Sequence, residues 1–451
     1  MHKSGHAACR VVMMASPTAF RASILHCLGD PAGTTDYANS PAVEYIEDGL
    51  LIVEKGRVQE IGEADTLLST ISKNTELVDY RDKLIIPGMI DCHVHFPQID
   101  IIASYGEQLL DWLNKYAFPA EKKFANAEHA REVADFFIDE LLRNGTTTAL
   151  VFATVHPQSV DAIFEKALQK NMRLMSGKVL MDRNCPNDLK DDVQSGYQDS
   201  LALIEKWHGK GRLSYAITPR FAVTSSEGQL AEAGRLANEH SDVYVHTHLA
   251  ENNEEVELIA EQFPWSQSYL DVYEHFGLLR ERSVFAHCLY LDDQDRQSMA
   301  DNGGAIAFCP TSNLFLGSGL FDLQKAAQND IRVGLGTDIG GGTSLNVLRT
   351  ASEAYKVLHL QDQSLPPFDA LYLATLGAAR ALYMDDKIGN FEPGKEADFV
   401  VLDSGATSIT SRRLSTSDDV AEKLFALIML GDDRCVAETY LMGKLAHSVS
   451  H

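Results

Sequence analysis

Short apolar runs alternate with amphipathic stretches from residue 84 to residue 337, and this alternation limits the possible folds more than any other feature. Each apolar run has the length and composition of a buried strand in a parallel sheet. Helical patterns lie between them, such as the face formed by Val160, Ile163, Phe164, Ala167 and Leu168. Eight strands with intervening helices predict an α/β fold, a (β/α)8 or TIM barrel. The predicted strands are 84–92, 146–154, 172–181, 213–220, 243–248, 283–289, 305–309 and 332–337.

The main alternative for such an alternation is a doubly wound open sheet. We disfavour it because no glycine-rich phosphate-binding turn follows the first predicted strand. Both chain ends have β character, with a hairpin in residues 44–62 that turns at Lys55-Gly56 and a strand pattern after Gly394. We therefore predict a small composite β-sandwich domain built from both chain ends. The predicted division is a disordered leader (1–16), the N-terminal part of the β domain (17–83), the barrel (84–390) and the C-terminal part of the β domain (391–451).

The charge balance restricts the expected partners. The chain has 64 acidic and 39 basic residues, a formal net charge of −25. Such an acidic protein repels polyanions, so we expect a small neutral molecule as ligand, with no nucleic acid and no membrane partner. No apolar stretch reaches the ~20 residues needed to span a bilayer. The seven cysteines are odd in number and unevenly spaced, which argues against a disulfide framework and favours the cytoplasm.

Potential metal ligands stand at the ends of four predicted strands. In an extended backbone, two histidines separated by one residue project from the same face. The carboxyl ends of barrel strands meet at one face of the barrel, so side chains placed there should converge. Neutral imidazoles suit zinc or iron. The residues concerned are His93 and His95 on the first strand, His246 and His248 on the fifth, His287 on the sixth and Asp338 on the eighth.

Several stretches resemble the amidohydrolase superfamily, and the likeness extends from about residue 45 to about residue 445. They are residues 87–95 (PGMIDCHVH), 246–251 (HTHLAE), 287 (H), 334–338 (GLGTD) and 394–403 (GKEADFVVLD). Within this superfamily the sequence is similar to the guanine deaminases in particular. That likeness is carried by residues 95–98 (HFPQ), 112–121 (WLNKYAFPAE), 144–149 (NGTTTA), 218–221 (TPRF), 248–252 (HLAEN) and 309–314 (CPTSNL).

The resemblance implies a single-metal site whose ligands are His93, His95, His248 and Asp338. Three nitrogens and one carboxylate, with a position left for water, suit one catalytic Zn²⁺ per chain. The same ligand set also accepts Fe²⁺. Superfamily members with two metals bridge them through a modified lysine at the end of strand four. Here strand four ends in Pro219-Arg220, which favours one metal.

The implied reaction is hydrolytic deamination of guanine to xanthine and ammonia by a zinc-activated water. Glu251 lies three residues beyond His248 and is the expected proton shuttle. Asp338 can bind the metal and also accept the proton of the attacking water. His287 is expected to stabilise the developing negative charge or to hydrogen-bond the hydroxide.

Recognition of the base is expected from residues on the first and fourth strands. Arg220 can donate to the O6 carbonyl of guanine, whereas adenine has an amino group at that position. Phe221 offers an aromatic face, and Gln98 offers both an amide donor and an acceptor. The alternative role for Arg220 is a structural salt bridge. The predicted substrate-binding set is Gln98, Arg220, Phe221, His248, Glu251 and Asp338.

Two other functions remain as alternatives. One is a deaminase or chlorohydrolase that acts on another heterocycle, such as a pterin, a triazine or 8-oxoguanine. The other is a scaffold protein that keeps the barrel and has lost catalysis, although such a protein should show broken ligand positions and all of them are intact here. The resemblance also suggests a homodimer.

Overall fold

The computed structural model describes residues 17–106 and 108–449, and the predicted leader (1–16) lies outside them. The strands in this part of the chain form two sheets. They are β1 (Thr18–Cys27), β2 (Val43–Glu54), β3 (Arg57–Glu63), β4 (Glu76–Pro87), β5 (Met89–His95), β6 (Thr146–Phe152), β7 (Arg173–Gly177), β8 (Val179–Leu180), β9 (Leu213–Pro219), β10 (Tyr244–Leu249), β11 (Ser283–His287), β12 (Ala305–Phe308), β13 (Arg332–Leu335), β14 (Phe399–Leu402), β15 (Val436–Leu441) and β16 (Lys444–Ser448).

Helices cover the outside of the barrel and connect its strands. None of those within the described ranges is long and apolar enough to cross a membrane. They are α1 (Ala64–Leu67), α2 (Leu109–Trp112), α3 (Phe118–Glu121), α4 (Ala127–Arg143), α5 (Pro157–Lys170), α6 (Val193–Trp207), α7 (Glu227–Glu239), α8 (Asn253–Gln262), α9 (Tyr269–His275), α10 (Asp293–Asp301), α11 (Pro310–Phe315), α12 (Leu323–Gln328), α13 (Val347–His359), α14 (Pro367–Ala374), α15 (Leu376–Ala381), α16 (Ser408–Leu414) and α17 (Val420–Leu430).

The barrel contains eight parallel strands in chain order, so the predicted (β/α)8 class is confirmed. The order is β5-β6-β7-β9-β10-β11-β12-β13, and the short β8 pairs with β9 beside this path. The first and last strands are joined where the chain leaves β13. There the backbone N–H of Asp338 donates to the carbonyl of His93 at 2.8 Å, and His95 N–H donates to Ile339 at 2.8 Å.

A bulge in β5 lets one strand serve both the core and the site. Between Asp91 and Val94 the register against β6 gains one extra residue on β5. Ile90, before the bulge, and Cys92, within it, belong to the buried cluster that fills the barrel. Because a bulge reverses the alternation of side chains, His93 and His95 then also face inward.

The small domain is one mixed seven-stranded sheet made from both chain ends. Its order is β16-β15-β14-β4-β1-β2-β3, and β14 pairs antiparallel with β4. The predicted hairpin is present as β2 and β3, and it turns at Lys55 and Gly56, whose φ angles are 53° and 80°. Glycine suits the second of these turn positions because it adopts positive φ without strain.

Two predicted strands are wrong in their extent. The run 84–92 is divided, because residues 84–87 continue β4 and pair with β14 in the small sheet, while the barrel strand begins at Met89. The run 172–181 is also interrupted, at Lys178. Its backbone N–H donates to the Tyr215 hydroxyl at 3.1 Å, and a Cβ at the preceding Gly177 would lie 1.7 Å from the Ala216 carbonyl oxygen.

Candidate active site

Four side chains from three regions of the barrel meet at the carboxyl ends of the strands. One ligand atom from each of His93, His95, His248 and Asp338 lies within 4.8 Å of the others, and all four residues are buried. His95 Nε2 is 3.2 Å from both His93 Nε2 and His248 Nε2. Asp338 Oδ1 is 3.2 Å from His93 Nε2 and 3.4 Å from His95 Nε2. The arrangement gathers three nitrogens and one oxygen around one point.

Neighbouring groups orient the imidazoles from behind. His248 Nδ1 lies 2.7 Å from the Arg220 carbonyl oxygen, which can only accept, so His248 carries its proton on Nδ1. Its Nε2 therefore presents a lone pair to the site. His93 Nδ1 is 2.7 Å from His246 Nε2. Such outer hydrogen bonds are typical of histidines that bind metals, because they fix the tautomer and the ring orientation.

Burial lowers the pKa values of the three clustered histidines well below their ordinary value. Positive neighbours, including Arg220 in each case, lower these pKa values further. The neutral imidazoles keep the lone pairs that metal binding requires. His95 Nε2 lies 3.2 Å from each of the other two Nε2 atoms, so a divalent cation fits between these donors and Asp338.

Asp91 ties the first barrel strand to the last. Its carboxylate accepts from the backbone N–H of Thr337 at 3.0 Å, from the Thr337 hydroxyl, and from the backbone N–H of His93 at 3.2 Å. These three hydrogen bonds hold His93 close to Asp338. Asp338 has a φ of 51° and His287 a φ of 72°. Left-handed backbone at non-glycine residues is costly, and it concentrates at functional sites.

Glu251 and His287 lie beside the ligand cluster, close to Asp338. His287 Nε2 is 3.5 Å from Glu251 Oε2 and 3.7 Å from Asp338 Oδ2, while its Nδ1 is 2.8 Å from Asn313 Oδ1. Burial, and then the charge of Asp338, raise the pKa of Glu251 well above its ordinary value. Glu251 is therefore suited to hold and release a proton beside the ligand cluster.

A small pocket opens over these groups and contains the side chains predicted to recognise a base. Arg220, Phe221 and Gln98 line it together with His95, His248, Glu251 and Asp338, and its apolar wall includes Trp112 and Leu316. The ring centroid of Phe221 is 6.5 Å from that of His248. The pocket is thus apolar on one side and polar on the other, which is usual for small-molecule sites.

Arg220 also forms a buried salt bridge, the alternative role considered for it. Its Nη1 donates to both carboxylate oxygens of Glu121, at 2.8 and 2.7 Å. Both side chains are almost completely buried. The structure therefore shows the salt bridge, and Arg220 also lines the pocket, so its contact with a base stays a prediction.

Sequence reasoning missed Glu121, Asp91 and Asn313 as parts of the site. Glu121 lies in a stretch whose helical type changes from α2 through a π-helical turn (Leu113–Ala117) to α3, so no regular periodicity identifies its partner. The one available signal was its place in the stretch 112–121 that resembles guanine deaminases. Asp91 was hidden inside an apolar run, where only the tertiary contact with Thr337 shows its use.

Comparison with known proteins agrees with this geometry. The model of the amidohydrolase family matches residues 84–446, and the chain belongs to this family. The guanine deaminase of Escherichia coli (strain K12) is 52% identical over 406 residues, which cover 90% of this chain and 92% of the relative. The solved structure of E. coli guanine deaminase matches with a TM-score of 0.93 at 50% identity, over 96% of this chain and 100% of that one. A guanine deaminase from C. acetobutylicum with bound guanine matches with a TM-score of 0.85 at 28% identity, over 95% and 99% of the chains.

Proposed function

We propose that the protein hydrolyses guanine to xanthine and ammonia. The observation that carries this proposal is one pocket in which a His₃Asp metal-binding group lies beside Glu251 and faces Arg220, Gln98 and Phe221. It is supported by 52% identity to a guanine deaminase and by the similarity to a structure with bound guanine. The reaction adds water at C2 and expels the amino group.

The proposed metal ligands are His93, His95, His248 and Asp338. A divalent metal held there would lower the pKa of a bound water from ~15.7 toward ~7, which supplies hydroxide at neutral pH. We propose one Zn²⁺ per chain, because three imidazoles and one carboxylate suit zinc, and because the fourth barrel strand ends at Pro219 and is followed by Arg220, not by a bridging lysine. Fe²⁺ is the competing metal for these ligands.

Glu251 is proposed to move the protons of the reaction. Water contributes one proton to Glu251 or Asp338 as its oxygen bonds to C2. Glu251 passes this first proton to the ring nitrogen. The second proton of the water leaves the new C2–OH group by way of Asp338 or Glu251 and reaches the departing amine, so that the C2–N bond breaks and ammonia leaves. The Glu251 carboxyl is suited to this exchange because it is buried, neighbours Asp338 and lies 3.5 Å from His287 Nε2. His287 stabilises the negative charge that develops between the two carboxyl groups.

Recognition of guanine is assigned to three residues that line the same pocket as Glu251. Arg220 donates to O6, Phe221 packs against the purine face, and Gln98 reads the base edge. Adenine places an amino donor where Arg220 also donates, and it has no leaving group at C2. A pocket that hydrogen-bonds one substrate group rejects analogues without that group, because the partner in the pocket would be left unpaired.

An ammonia-release assay on metal-replete protein tests the proposal. The panel contains guanine, adenine, cytosine and 8-oxoguanine, together with a pterin and a chlorinated triazine. We expect guanine to have a kcat/KM well above every other compound. Preferential turnover of a pterin or triazine, or no ammonia from guanine, would contradict the proposed function.

We also propose that the protein is a cytoplasmic homodimer. The described cysteines are all free thiols, and five of these six are buried, as suits a reducing compartment. The dimer rests on the family resemblance. Light scattering coupled to gel filtration should give twice the chain mass, and a monomer mass would contradict it.

A further inference from the structure

Glu121 belongs to the pocket although it does not line it. Its side chain is fully buried, and it is held on α3, one turn after Phe118. The guanidinium carbon of Arg220 lies 5.3 Å from the centroid of the Phe118 ring. The same short helix therefore supplies an aromatic face and a carboxylate to Arg220, and both restrict the position of its guanidinium group.

Glu121 also fixes the second base-reading side chain. Gln98 Nε2 donates to Glu121 Oε1 at 2.9 Å, while Gln98 Oε1 accepts from the backbone N–H of Gly340 at 3.1 Å. These two contacts define which way the Gln98 amide points. A single buried carboxylate thus orients two side chains that come from different barrel strands.

The charge of Glu121 has a separate consequence. Arg220 donates to both Glu121 oxygens from a single nitrogen, Nη1. Its Nη2 and Nε take no part in these contacts. The guanidinium can therefore still donate to a ligand, but its positive charge is already balanced. A guanidinium whose charge is neutralised by a carboxylate favours a neutral carbonyl as its ligand. A buried guanidinium without such a partner attracts an anion.

We propose that Glu121 is a positioning residue whose charge, by neutralising Arg220, makes the pocket select a neutral purine over an anionic one. The proposal rests on the proposed function. Its consequence concerns the product, because xanthine is a stronger acid than guanine and becomes an anion at mildly alkaline pH. Pairing Arg220 with Glu121 prevents the anionic product from being retained by the group that binds neutral guanine.

The test uses the metal-loaded Glu121→Gln variant, which keeps the shape of the side chain and removes its charge. We expect KM for guanine to rise roughly tenfold, the effect of losing one charge-assisted hydrogen bond, with a smaller change in kcat. We expect the inhibition constant of xanthine to fall by a similar factor at alkaline pH. A residue that only maintains the fold would weaken both ligands together, and this parallel result would overturn the proposal.

Two further variants separate charge from shape. Glu121→Asp keeps the charge, so it should weaken guanine without tightening xanthine. The double variant Glu121→Gln with Arg220→Met removes both charges, so the tighter xanthine inhibition should disappear. Persistence of that inhibition in the double variant would show that Arg220 is not its cause.

The parental enzyme provides a test that needs no variant. Its inhibition by xanthine should not strengthen as pH rises through the first ionisation of xanthine, with hypoxanthine as a comparison ligand. The other ionisable groups on the pocket wall, His95, His248, Glu251 and Asp338, are the same in parent and variants. Strong pH-dependent tightening in the parent would contradict the proposal. If the parent fails to deaminate guanine, the proposed function fails, while calorimetric binding of neutral and anionic purines still tests the role of Glu121.

Discussion

The carboxylates at the amino-terminal end of the barrel differ from that of Glu251 at the carboxyl end. At the amino-terminal end, Arg173 donates to Glu396 at 2.6 Å, and Arg212 bonds both Glu396, at 2.9 Å, and Asp398. Burial alone would raise the pKa of Glu396, but Arg212 and Arg173 bring it below its ordinary value. At the carboxyl end, burial and the charge of Asp338 outweigh the effect of Arg220, and the pKa of Glu251 is raised.

The ion pairs at the amino-terminal end contribute to stability, whereas the groups at the carboxyl end are available for chemistry. The amino-terminal ion pairs connect β7 and the start of β9 to the loop before β14, so they join the barrel to the small sheet. Their charges are satisfied within the chain. At the other end, the Arg220–Glu121 pair is satisfied in the same way, but the donors of the four-residue ligand cluster converge on one point, where a metal ion would satisfy them. We therefore expect substitutions at the two ends to affect different measurements.

The largest effect is expected for His93→Ala or His248→Ala. Each removes a ligand from the four-residue cluster, so metal and activity should be lost together. The loss should exceed the ~10²–10⁴-fold typical of removing a general acid or base. Elemental analysis and the ammonia assay measure the two quantities on one sample. His359→Ala, at an exposed position of α13, is the control, and a metal-free but active His93→Ala protein would refute the ligand assignment.

A smaller effect is expected for Glu251→Gln, which should keep the metal but lower kcat by ~10²–10⁴-fold. The amide cannot accept the proton of water and return it to the leaving amine. The exposed Glu254→Gln variant, on the same turn, should behave as the parent. Near-parental turnover by Glu251→Gln would remove it from the mechanism.

At the opposite end, Arg212→Met should lower the free energy of unfolding and leave kcat for guanine nearly unchanged. Removing one partner of a buried ion pair costs about 3–5 kcal/mol, because Asp398 would remain buried without its cation. Urea denaturation of the metal-loaded protein measures this loss. Arg434→Met breaks the exposed pair with Asp432 and should cost much less, because water screens that pair. Equal costs for the two variants would contradict the assigned role of the buried pairs.

The smallest effect concerns Glu255, which lies behind Glu251. Burial and the charge of Glu251 raise the pKa of Glu255 from 4.5 to about 7. Its stabilising contribution is therefore complete below its ordinary pKa and is lost as pH rises through about 7. We expect a loss of roughly 2–3 kcal/mol across this window, at about 1.4 kcal/mol per pH unit.

Glu255→Gln should flatten that part of the stability profile. Urea denaturation from about pH 5 to about pH 8 compares the variant with the parent and with the exposed Glu257→Gln control. Parallel profiles for parent and Glu255→Gln would show that another buried group causes the change.

The sequence predicted the barrel because its strands are buried on both faces and therefore appear as compact apolar runs. It also predicted which strand ends meet, since the parallel topology brings His93, His95, His248 and Asp338 to the same face. It could not predict the bulge at Asp91 to Val94, because the register depends on the neighbouring strand. The break at Lys178 likewise depends on Tyr215, which lies in a later strand.

The salt bridge of Arg220 was foreseen only as an alternative to substrate binding, and its partner was not identified. Local sequence patterns do not reveal a pair separated by 99 positions. The same limit applies to the ion pairs at the amino-terminal end, where Arg173 and Glu396 are 223 positions apart. In both cases the partner of the charged residue can be identified only when the fold is known.

We propose that the ligand cluster at the carboxyl end of the barrel is a mononuclear metal site. Titrating metal-depleted protein with Zn²⁺, while measuring bound metal and ammonia release from guanine, tests it most directly. We predict that activity rises in proportion to bound metal and reaches its maximum at one ion per chain. Full activity in metal-free protein, or a maximum reached only at two ions per chain, would contradict the claim.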